Sequence, residues 1–107
     1  MNANIAKAKA TYEGAVHAYG FAKVKCAAEY RELIILGSEI VELLIGRASQ
    51  SDIDAATVAY DEQEVATDAA AFAQCKAMRA LQVAREAYET AWSLHGEDVA
   101  GYVGLEV

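Results

Sequence analysis

Two cysteines, two histidines and sixteen carboxylates are the side chains of this 107-residue chain best suited to chemistry. Cys26 and Cys75 are far apart and fit neither a CxxC redox motif nor a zinc-ligand spacing. They read as two unbonded thiols in a reducing compartment, Cys26 turned inward and Cys75 at the edge of a polar arc. A di-iron helical bundle needs Glu-x-x-His pairs facing its core. Glu29-x-x-Glu32 and Glu39-x-x-Glu42 have a spacing that shares a helix face, but neither His17 nor His95 has a glutamate three residues before it. His17 falls on a secondary apolar stripe with Phe21 and Val24, where it reads as a packing or interface residue rather than a base. Nucleophilic catalysis also lacks its scaffold, because no oxyanion loop or glycine-rich phosphate loop is present. The expectation is a non-enzyme: no catalytic residue, no cofactor, no metal site and no small-molecule substrate.

The carboxylates are unevenly placed. The chain carries a net charge of −7, and residues 29–68 alone hold ten acids and two bases. An acidic chain repels a nucleic-acid backbone and an anionic membrane surface, so neither is expected as a direct partner. Asp54, Asp61, Glu62, Glu64 and Asp68 form a candidate acidic surface for a protein partner. In size and charge the chain resembles small acidic phage inhibitors, some anti-CRISPR proteins among them. That resemblance implies a nucleic-acid mimic that blocks a basic site on its target. The other reading of the same residues is a solvated face that keeps the protein dispersed.

Helices must position all of this. The chain has no proline, and its one internal stretch of loop chemistry is Gly46-Arg47-Ala48-Ser49-Gln50-Ser51. Gly46 suits a helix C′ position, Ser51 or Asp52 an N-cap, and Asp52 and Asp54 the positive end of a following helix dipole. The fold class is all-α: a long antiparallel helical hairpin with helices at about 4–45 and 52–95. Gly14 and Gly20 each weaken the first helix by about 1 kcal/mol relative to alanine. A three-helix bundle broken near Gly14–Gly20 is therefore the alternative. Residues 1–95 form the hairpin domain. Residues 96–107, with three glycines and alternating apolar side chains, read as an extended C-terminal tail that starts where Gly96 stops the helix.

The hairpin has a coiled-coil seam. Ile5, Tyr12, Tyr19, Cys26, Leu33 and Ile40 recur every seven residues on the first helix. On the second, Ala59, Ala66, Ala73, Ala80 and Ala87 form one heptad row and Ala70, Ala77, Ala84 and Ala91 another. Folding the chain back near Ala48 sets residue i opposite 98 − i. Tyr12, Tyr19, Cys26 and Leu33 then meet Ala87, Ala80, Ala73 and Ala66, large side chains against methyls. Such a seam brings helix axes to the short end of the usual range of about 8–10 Å. The apolar arc of the second helix is about twice the width of about 100° that one contact requires. Phe72, Leu81, Tyr88 and Trp92 are thus a candidate oligomer interface, and dimerisation into a four-helix bundle would cover them.

The layout is similar to secreted helical-hairpin proteins of like length that carry a Trp-Xaa-Gly turn. Leu44-Ile45-Gly46 stands where that motif would lie, and Tyr60-x-x-x-Glu64, which resembles their export signal, sits mid-helix rather than in a tail. The missing tryptophan leaves the likeness at the level of layout. No signal peptide is visible, and the most apolar run, 33–45, is short and interrupted by Glu39 and Glu42. The expected location is cytoplasmic or within a virion. The expected function is a non-catalytic structural or adaptor protein, self-associating or part of a multi-subunit assembly such as a phage component. Its partners would be itself, as a homodimer or higher oligomer, or another protein. The acidic inhibitor is the alternative.

Overall fold

The computed structural model describes the backbone of residues 3–103 and the side chains of residues 3–95. Two helices make up the described chain: α1, Ala3–Ile45, and α2, Gln50–Val103. They pack on one another as an antiparallel hairpin. α1 runs unbroken through Gly14 and Gly20, which corrects the three-helix alternative. Two glycines in a long helix lower its stability without removing a hydrogen bond, so nothing forces a break.

α2 differs more from expectation. It begins at Gln50 and continues past Gly96 to Val103, so the extended tail does not start at residue 96. Glycine carries an entropic cost in a helix but leaves the backbone ladder intact, and no proline follows to end it. Residues 104–107 of the expected tail lie outside the described residues.

The turn is built from a Schellman motif and a serine cap. The Ala48 N–H donates to the Leu43 carbonyl at 3.0 Å and the Arg47 N–H to the Leu44 carbonyl at 3.3 Å. This pair satisfies two carbonyls at the end of α1. The left-handed C′ residue is Arg47, with φ 54°, and not Gly46 as the sequence suggested. Ser49 is the N-cap of α2: its hydroxyl accepts the Asp52 N–H at 3.2 Å and its carbonyl the Ile53 N–H at 3.1 Å. Capping by Ser49 rather than Ser51 or Asp52 leaves three residues, 46–48, to reverse the chain.

The hairpin divides into two compact units. One is Phe21–Cys75, which contains the turn. The other comprises the described parts of Met1–Gly20 and Lys76–Val107. Within each, the less exposed residues of both helices follow a 3-4 heptad spacing. On α1 they are Ile5, Ala8, Tyr12, Ala15, Tyr19 and then Ala22, Cys26, Glu29, Leu33, Leu36, Ile40, Leu43. On α2 they include Ile53, Ala56, Tyr60, Gln63, Thr67, Ala70, Gln74 and then Ala77, Leu81, Ala84, Tyr88, Ala91. This two-row spacing is the one that two packed helices share along their contact. Very little else is buried, and sixteen large apolar side chains stand exposed among the described residues.

Candidate interaction surfaces

The seam on α1 is the expected one. Cys26 is buried and Tyr12, Tyr19 and Leu33 are half-buried. The seam on α2 is rotated by one residue. Ala66, Ala73, Ala80 and Ala87 are exposed, while Ala70 and Ala84 are each only 5% exposed. One residue along an α-helix is a rotation of about 100°, which turns the first alanine row from the contact to its flank. The longitudinal pairing nevertheless holds to within a few residues. Tyr12 stacks near Tyr88 in one unit, and Tyr60 lies beside Gly37 in the other.

In the turn-containing unit a polar layer at Glu29 holds the contact positions beside the exposed alanine row. Thr67, 2% exposed, donates its hydroxyl to the Glu29 backbone carbonyl at 3.2 Å. The Gln63 amide donates to the same carbonyl at 3.2 Å, to the Glu29 carboxylate, and to the Thr67 hydroxyl at 3.4 Å. Two side chains of α2 are thereby tied to one residue of α1. Buried polar groups that find partners restrict which pairings are tolerated, because any slip leaves them unsatisfied. Glu29, Gln63 and Thr67 are polar and so stand outside the apolar periodicity of the sequence. Their signal is positional, since all three continue the heptads of their neighbours.

The candidate oligomer residues separate into two pairs. Leu81 and Tyr88 are half-buried within the hairpin, so this much of the expected interface is turned toward α1. The rings of Tyr12 and Tyr88 are 5.6 Å apart, within the range of favourable aromatic pairing. Trp92 sits 6.4 Å from Tyr88 and 5.9 Å from His95, edge-on to the latter, and remains 45% exposed. Phe72 is 73% exposed.

A groove of about 410 Å³ lies within the turn-containing unit. Ala66, Ala69, Ala70 and Ala73 line it from α2, and Phe21, Lys25 and Glu29 from α1. The misplaced alanine row therefore forms one wall of an open apolar groove beside the seam. Val65 and Phe72, both exposed, lie on the next row outward.

All five candidate acidic residues are exposed. Asp54, Asp61, Glu64 and Asp68 share the flank of α2 away from the groove, while Glu62 falls on the groove side. The sequence expectation of a single acidic surface thus resolves into one row and one outlier. Cys26 and Cys75 are free thiols, the first buried and the second exposed. His17 is exposed, so it does not pack within the hairpin. Among the described residues no three His, Cys, Asp or Glu side chains converge as a metal site, and no helix is long and apolar enough to cross a membrane.

Comparison with protein-family models, with curated proteins and with solved structures finds no match.

Proposed function

We propose that the chain is a non-catalytic structural or adaptor protein that works through protein–protein contacts and associates with itself, a second hairpin completing a four-helix bundle. The observation that supports this most is the exposed apolar surface. Phe21, Val65 and Phe72 are each at least 70% exposed, and Phe21 lines the alanine groove. Contiguous apolar surface of this kind marks contact sites.

The groove face suits a second copy. It carries both hollows and protruding rings, as a two-fold contact requires of one surface. Lys25 and Glu32 lie seven residues apart on the same row, so two antiparallel copies can set opposite charges together. Light scattering after size exclusion tests this at micromolar concentration. The expected mass is that of a dimer or larger, reduced to the monomer by Phe72→Ser with Ala73→Glu. A wild-type chain that stays monomeric under those conditions would overturn the reading.

A second reading, an acidic inhibitor that blocks a basic site on its target, draws on the alignment of Asp54, Asp61, Glu64 and Asp68. Binding carried by those charges alone would be lost in high salt. Association through the groove face would persist.

A further inference from the structure

We infer that the face opposite the alanine groove receives an amphipathic helix of another protein, with an apolar stripe flanked by lysine or arginine. The inference extends the adaptor reading and rests on it. The groove lining shows that the Phe21–Lys25 side of α1 and the Ala66–Ala73 side of α2 share one face. The other flanks of the same two helix segments therefore share the opposite face. On α1 this flank carries Ala27, Tyr30, Ile34, Gly37, Val41 and Leu44, whose 3-4-3-4-3 spacing is that of a helix-packing seam. Tyr60 of α2 lies against Gly37, and the other five residues of the stripe stand exposed. Ile34 is 65% exposed, and Tyr30, Val41 and Leu44 are exposed as well.

On α2, at the same height, the flank carries Asp54, Asp61, Glu64 and Asp68, all exposed. The α1 flank from 27 to 44 and the α2 flank from 54 to 71 hold no lysine or arginine; Arg31 lies one row further out. The face is thus half apolar stripe and half carboxylate row. A second copy of this chain fits it poorly in either antiparallel arrangement. Setting α2 on α2 brings two carboxylate rows together, and setting α1 on α2 presses the apolar stripe onto carboxylates. A helix with an apolar stripe and a basic flank satisfies both halves at once, by the helix-in-groove mode.

The test uses the full chain and a fluorescein-labelled synthetic peptide with a helical leucine stripe flanked by lysines. Two control peptides keep one half of its chemistry each: the same stripe flanked by glutamates, and oligolysine without leucines. Fluorescence anisotropy should show the leucine–lysine peptide binding at least about tenfold more tightly than either control. Ile34→Ser with Val41→Ser should weaken it by about tenfold or more, and so should Asp61→Asn with Glu64→Gln and Asp68→Asn. The second variant should also flatten the salt dependence. Helicity measured by circular dichroism identifies any variant that has lost its fold, and Phe21→Ser, in the groove lining on the other face, should leave peptide affinity unchanged. Equal binding of the lysine and glutamate peptides, equal binding of oligolysine, or indifference to both surface variants would overturn the inference. So would loss of the wild-type oligomer on mutating Ile34 and Val41, which would make this face a contact between copies. If the wild-type chain is monomeric yet binds the leucine–lysine peptide as described, self-association fails and this inference stands.

Discussion

Thr67 is the most completely buried polar side chain among the described residues, and its hydroxyl bridges α2 to the Glu29 carbonyl. Thr67→Val keeps the shape and removes the donor, so it should cost about 1 kcal/mol in thermal or urea unfolding. Gln63→Ala, which removes a donor serving three acceptors, should cost about 1–2 kcal/mol. If both are silent, the polar layer does not hold the two helices together. The alanines make a sharper contrast. Ala84→Leu should overpack the seam and cost about 1–3 kcal/mol, while Gln82→Leu, on an exposed position two residues away, should be nearly neutral. Equal melting temperatures for the two would show that the second alanine row is not the contact. Ala73→Leu has a different expected outcome, because Ala73 lines the groove and not the seam. It should leave hairpin stability within about 0.5 kcal/mol of wild type, and its effect should appear in the oligomeric state.

At the scale of the element, both helices and their antiparallel pairing were legible from sequence, and the face of α2 was not. On α1 the large side chains Ile5, Tyr12, Tyr19, Leu33 and Ile40 stand in one row, and only one orientation buries them. On α2 the apolar residues spread over a wide arc, and the row of Ala66, Ala73 and Ala80 flanks the row of Ala70, Ala77 and Ala84 that enters the seam. The contact takes the second row together with Gln63 and Thr67, which polarity places on the surface. Their burial becomes favourable only once partners exist on α1, a tertiary fact that periodicity does not carry. The turn followed the same logic. The chain offered glycine at position 46 and the geometry placed the left-handed residue at 47. Arg47→Gly should therefore stabilise the hairpin by about 0.5–1 kcal/mol, by relieving the strain of a side chain at φ 54°. Gly20→Ala should do the same, since nothing lies within 4 Å of the added methyl and the backbone is already helical. A drop in melting temperature for either would mean that the local conformation differs from the one described.

At the scale of the whole molecule the decisive property is how much apolar side chain the hairpin leaves uncovered. A folding unit whose core is a single seam gains little from burial, so any surface that closes over its exposed side chains adds directly to its stability. Self-association and stability are then one equilibrium, and the melting temperature should rise with protein concentration. A monomeric hairpin has no such dependence. The chemistry of the contact fixes the salt response. A groove face built from Phe21, Phe72 and alanine methyls should hold together, or tighten, as salt rises from low concentration to about 1 M, where the screening length falls to about 3 Å. A contact carried by Asp54, Asp61, Glu64 and Asp68 should weaken over the same range. Calorimetry at several protein concentrations and two salt concentrations separates the cases. A melting temperature that rises with concentration and survives high salt supports the apolar assembly. A concentration-independent value excludes it, and a concentration dependence that high salt abolishes transfers the contact to the acidic row.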